Sequence, residues 1–252
     1  MRMKWIRALV MCATVMCAFP LSSVRAARGG VQQNALYQSL TLNAARHDVQ
    51  TVVTTIDKSL REERISRKKL KVLHMWLVDH TYGQLDSQKI VAVYFLKLYD
   101  VDYVMALHSK ARKGGNSIDY RQSTLDAFKA LLTYEIIAMS DAERCRDDSV
   151  VGVVARNLLP RYRDISYAYT LLNENEISLG WYTAMQTEAQ KAERPLNLYL
   201  CVQGNKALNN PATYVPHDVV PARWREIRDG LRAKYTNVWK SRYAAALHGD
   251  KQ

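Results

Sequence analysis

The sequence predicts an all-α protein, an antiparallel helix-hairpin bundle or a small α-solenoid, preceded by a signal peptide. Three observations carry that expectation. Apolar residues recur at three- and four-residue steps, the spacing that lines one face of an α-helix. Residues suited to helix caps, among them Asp48, Ser66, Asp86 and Ser123, stand where those stripes begin. No alternating apolar and polar run is bounded by hairpin signals.

Residues 1–26 have the three parts of a cleavable secretory signal peptide. Arg2, Lys4 and Arg7 form its basic start, and Ala8 to Leu21 form an apolar core broken by Pro20. Val24-Arg25-Ala26 offers small residues where the peptidase reads, so the expected cut follows Ala26. The apolar run is shorter than the roughly 20 residues a membrane span needs, and no transmembrane segment is expected in the mature chain. Cys12 and Cys17 leave with the peptide, since Met11 and Met16 stand where lipoprotein processing needs a small residue.

Residues 27–252 are expected to form one helical domain. A first helix spans about Val31 to Ala45, with Leu36, Leu40 and Leu42 near one face. Asp48 caps a second, whose stripe is Val49, Val52, Val53, Ile56 and Leu60, and Arg61 to Arg64 is its charged end. Ser66 caps a third, with Leu70, Leu73, Trp76, Leu77 and His80 inward and Gly83 as a left-handed terminator.

Asp86 caps a unit running from Ile90 to Leu98 that is too continuously apolar for a surface helix. Its β-branched content would suit a buried strand, but the Lys89 and Lys97 flanks and helical neighbours favour a central helix. Asp102 to Lys113 continues it to Gly114-Gly115. After Asn116, Ser123 caps a helix marked by Leu125, Phe128, Leu131, Leu132, Ile136 and Met139, ending at Ser140-Asp141. Pro160 and Asn173 to Glu176 break the next stretch, and Ile177 to Arg194 is helical up to Pro195. Pro211, Pro216 and Pro221 punctuate a loop, after which residues 222–247 form a long amphipathic helix carrying Trp224, Ile227, Leu231, Tyr235, Val238, Tyr243 and Leu247.

Cys145 and Cys201 are the cysteines that survive cleavage, and export would take them where a disulfide persists, so a bridge between them is expected. Losing Arg2, Lys4, Arg7 and Arg25 and no acid lowers the formal net charge from +12 to +8. That surplus suits an anionic envelope component, an acidic protein or a peripheral membrane contact, and not nucleic acid in that compartment. The chain has no Asn-x-Ser/Thr sequon, which leans towards bacterial export, so the expected location is periplasmic or secreted, with the periplasm the default.

Walker A, Gly-x-Ser-x-Gly, His-Glu-x-x-His, EF-hand and Cys-x-x-Cys signatures are absent, and no cofactor is expected. His74, Asp79 and His80 are the local cluster of metal-type side chains, but histidines six apart on a helix diverge, so no metal is expected. The stretch Glu174-Asn175-Glu176-Ile177-Ser178-Leu179-Gly180-Trp181-Tyr182-Thr183-Ala184-Met185-Gln186 resembles the core of lytic transglycosylases, where a catalytic Glu followed by Ser precedes Gly-Leu-Met-Gln. Here Glu and Ser are not adjacent and a second Gly is missing before Met185. The resemblance implies a cell-wall glycosidase with Glu174 or Glu176 as acid; the residues alone read as a cap at the positive end of a helix dipole.

The terminal helix offers Arg223, Trp224, Arg228, Arg232, Tyr235 and Trp239 as a basic, aromatic binding surface. It could equally fold back on its own domain, which Glu226 and Asp229 favour by diluting the basic face. The functional expectation is an exported helical protein that binds or scaffolds in the cell envelope.

Overall fold

A computed structural model describes residues 30–83, 92–113, 118–145, 147–156, 168–212, 214–215 and 220–248. Residues 1–26, expected as a signal peptide, and Asp86, Ile90, Gly114 to Asn116, Pro160 and Pro216 lie outside the described residues, as do the side chains of Trp239, Tyr243 and Leu247. The described secondary structure is helical, with no strand among the described residues.

Helix α1 (Ala35–Ala45) starts at Asn34, whose side chain accepts from the Leu36 amide, and buries Tyr37 and Leu40. Leu42 is exposed rather than beside Leu40, because residues two apart lie on nearly opposite sides of a helix. The helix ends in a Schellman turn. Asp48 N–H donates to Asn43 O and His47 N–H to Ala44 O, with His47 at φ 58° in the left-handed position usually given to glycine. Asp48 then caps α2 (Val49–Leu60) by accepting from the Thr51 amide, so two helices meet at one short corner.

Ser66 caps α3 (Arg67–Thr81), which buries Leu70, Leu73, Trp76 and Leu77 as the spacing predicts. His80 stays at the margin, its ring stacked on Trp76. Gly83 is not left-handed: a Cβ there would lie 2.2 Å from the Asp79 carbonyl oxygen, and that close approach is what glycine permits.

The apolar run enters α4 (Ala92–Lys113), in which every residue from Ala92 to Tyr99 is buried. A helix covered on all sides needs no polar face, which accounts for the strand-like composition. Even Lys97 is inside, donating to Asp57 of α2 at 2.6 Å and to Asp100 at 3.0 Å.

The next helix, α5 (Ile118–Arg144), is longer at both ends than predicted. Ser123 is a buried residue within it, not its cap, and Ser140 and Asp141 do not break it but lie buried in its last turns. Short α6 (Ala168–Leu171) precedes α7 (Glu174–Gln190); then come α8 (Leu198–Cys201), α9 (Asn205–Asn209) and α10 (Pro221–His248), with Pro221 in the first turn where its missing N–H costs nothing. Helix α7 starts three residues before Ile177 because Asn173 caps it, and stops at Gln190. Helices α4, α6, α7, α8 and α10 all pack on α5. Gly180 lets α7 come close, since a Cβ there would sit 2.8 Å from the Phe128 ring.

Candidate functional site

Asn173 and Glu176 form a capping box: Asn173 Oδ1 accepts from the Glu176 amide at 3.0 Å, and Glu176 Oε2 accepts from the Asn173 amide at 2.9 Å. Arg121 of α5 donates to the same carboxylate through Nε at 2.8 Å and Nη2 at 2.6 Å. The Arg121 hydrogen bonds hold this carboxyl below its usual range, with the Asn173 amide helping against a modest cost of burial. A general acid needs the opposite shift. Glu174 is exposed at the first position of the helix.

A second carboxylate from α7, Glu188, anchors the terminal helix. It is fully buried and receives three guanidinium groups. Arg228 donates to it through Nε at 2.5 Å and Nη2 at 3.2 Å, Arg194 through Nη1 at 3.2 Å, and Arg232 through Nε at 2.8 Å and through Nη2. Burial is the largest influence and pushes this carboxyl up, yet the Arg228 hydrogen bonds and the charges of Arg194, Arg228 and Arg232 outweigh it and hold it down.

Arg194, itself buried, also donates from Nε to Asp141 Oδ1 at 2.8 Å and from Nη2 to Ser140 Oγ at 2.5 Å. Burial raises Asp141 despite that partner, and its second oxygen has no hydrogen bond among the described residues. The Trp224 ring lies against the guanidinium groups of Arg144, Arg194 and Arg228 at 4.3, 4.8 and 5.6 Å, and its Nε1 donates to Ala192 O at 3.0 Å.

The terminal helix folds back on its own domain, the alternative that Glu226 and Asp229 favour, so most of its described basic and aromatic side chains do not form an open surface. Trp224, Arg228 and Tyr235 are buried against the protein itself and Arg232 is half-buried, because the buried Glu188 carboxylate on α7 draws the arginines inward. Arg223 is exposed and pairs with Glu226 at 3.0 Å.

Cys145 and Cys201 are bonded, with Cα atoms 5.2 Å apart, joining the end of α5 to α8. Asp147 braces the same corner, accepting from Ser149 Oγ at 2.6 Å and from the Lys206 amide at 2.8 Å. Tyr214 Oη donates to Cys145 O at 3.3 Å.

His74, Asp79 and His80 point to separate partners. His80 Nδ1 meets Trp76 O at 2.7 Å, Tyr37 donates to Asp79 at 2.8 Å, and no group of three metal-type ligands occurs among the described residues. His74 Nδ1 lies 2.6 Å from Asp102 Oδ1 of α4. Burial pushes Asp102 up to about 6, and Asp102 in turn raises His74 against the burial that would lower it.

Where α3 begins, Gly30, Val31 and Asn34 face Arg67, Lys68, Lys71 and Val72 across a cleft of about 340 Å³. Arg67 reaches Asp119 of α5 at 3.1 Å and Lys69 reaches Glu62 at 2.5 Å, whereas Lys68 and Lys71 meet no carboxylate among the described residues.

No protein-family model, curated relative or solved structure matches the chain.

Asp141, Glu188 and Arg194 escaped the sequence reading because they obey no periodicity; the one signal was an acid and an arginine, six apart, ahead of Pro195. The Lys68 and Lys71 cleft carries no signal in the sequence beyond the basic residues after Ser66.

Proposed function

We propose that this is an exported protein of the cell envelope, periplasmic in a bacterium, that acts by binding an anionic envelope component and not by catalysis. The observation that carries the reading is the fate of Glu176, whose carboxylate is committed to a helix cap and to Arg121 and is held ionised. The same observation weighs against the glycosidase alternative, which needs a protonated carboxyl on the substrate side. The bonded Cys145 and Cys201 support an oxidising compartment, and residues 1–26 would direct export before being removed. No described helix is long and apolar enough to cross a membrane, so membrane contact would be peripheral.

We further read the domain as a bundle around α5, not a solenoid, because helices from both halves of the chain meet that one helix, whereas solenoid units touch only their neighbours. The test has two readouts on the full chain expressed in an exporting bacterial host. N-terminal sequencing of the protein from the envelope fraction gives Ala27 first, and incubation with purified cell wall releases no soluble fragments. An intact N-terminus in the cytosol overturns export; release of fragments that Glu176→Gln abolishes overturns the binding reading.

A further inference from the structure

The first turn of α3 holds no acidic residue, although the positive end of a helix favours one, and Arg67, Lys68 and Lys69 stand there instead. The stretch Arg61 to Lys71 carries six cations against Glu62 and Glu63. Arg67 and Lys69 are matched by carboxylates, but Lys68 and Lys71 are exposed and meet none among the described residues. Both border the cleft whose floor is the buried Val72 and the half-buried Val31, with Asn34 as the one neutral polar side chain on its wall. A cationic rim over an apolar floor, free of carboxylate, matches a ligand that carries negative charge at one end and hydrocarbon at the other.

We propose that this cleft binds the phosphodiester head group of an anionic phospholipid at a membrane surface, with Lys68 and Lys71 on the phosphate, Asn34 within reach of the glycerol and the upper acyl carbons against Val31 and Val72. Ammonium groups suit this task, because each acts as a point charge that can follow a mobile phosphate. The site rests on the binding reading above for its setting alone.

The test is co-sedimentation of the full chain, expressed with residues 1–26 and purified as the host processes it, with phosphatidylcholine vesicles made with and without phosphatidylglycerol. The protein binds the anionic vesicles and leaves the neutral ones. Lys68→Gln with Lys71→Gln weakens binding about 30-fold, from about fivefold per cation near an anionic surface. Arg223→Gln with Arg225→Gln removes the same charge from the exposed side of α10 and weakens binding less than fivefold. Circular dichroism confirms that both variants fold, as expected of exposed positions. Equal losses in the two variants, equal binding to neutral vesicles, or no binding to anionic ones overturns the site. Such a failure leaves Ala27 as the first residue and the cell wall intact, so it is distinguishable from failure of the export and binding reading.

Discussion

Glu188→Gln tests the clamp on the terminal helix. The substitution keeps the volume and one acceptor but removes the negative charge that three guanidinium groups share. Removing one partner of a buried ion pair costs about 3–5 kcal/mol, because the other charge is left uncompensated away from water. Arg232 is one-quarter exposed and can turn to solvent, and Arg194 keeps Asp141. Arg228 has neither escape, so the lower end, about 3 kcal/mol, is expected. For a domain of this size that is a fall in Tm of about 6–12 °C.

Urea unfolding at pH 7, followed by far-ultraviolet circular dichroism with the disulfide intact, measures it. The pH dependence has a definite sign. A carboxyl held below its ordinary value of 4.5 contributes stability above that pH and loses it as pH falls through the folded value. The gap between wild type and variant therefore narrows below about pH 4.5. A loss under about 1 kcal/mol, or a gap that widens in acid, refutes the clamp.

Three other expectations follow from the packing. Asp102 rises from 3.8 to about 6 and His74 rises above 6.5, so both favour the protonated state and the α3–α4 seam loses stability as pH climbs from about 4 past 6.5. Asp102→Asn flattens that dependence and, leaving burial opposed by the charges of Asp126 and Asp79 alone, lowers the His74 pKa in an NMR titration; an unchanged His74 contradicts the pairing. Replacing both Cys145 and Cys201 by Ser frees a loop of 56 residues and costs about 4 kcal/mol by loop-closure entropy, read by urea unfolding. Gly180→Ala would stabilise an isolated helix by about 0.5–1 kcal/mol, but the Phe128 ring 2.8 Å from the new Cβ makes it a net loss of about 1 kcal/mol in thermal unfolding.

Much of the fold was legible because helix signals are local. Asp48 and Ser66 cap the helices they precede, and Leu131, Trp76 and Ile56 lie where their spacing puts them. Errors came where a residue's partner is distant in sequence. Ser140 and Asp141 looked like a break because small polar residues usually leave helices; here Arg194, more than fifty positions on, satisfies them inside one. Fold-back of the terminal helix was legible as the favoured of two readings, but the anchor of Arg228 and Arg232 was not, because nothing nearby in sequence announces Glu188. Leu42 is expected on one face with Leu36 and Leu40, but the two-residue geometry turns it out. The left-handed residue among the described non-glycines is His47, its corner held by two turn hydrogen bonds, and not the Gly83 that composition suggests.

These contacts bear on where the proposed binding face lies. In this account the clamp keeps α10 on the body of the protein and the proposed binding lies at the start of α3. Hydrogen exchange read by mass spectrometry, with and without phosphatidylglycerol vesicles, addresses both halves of that statement. The account predicts that amides from Trp224 to Tyr235 are strongly protected without vesicles and unchanged by them, while those from Arg64 to Leu73 gain protection. Exposed α10 amides that become protected only on vesicles, with no change at α3, would contradict it.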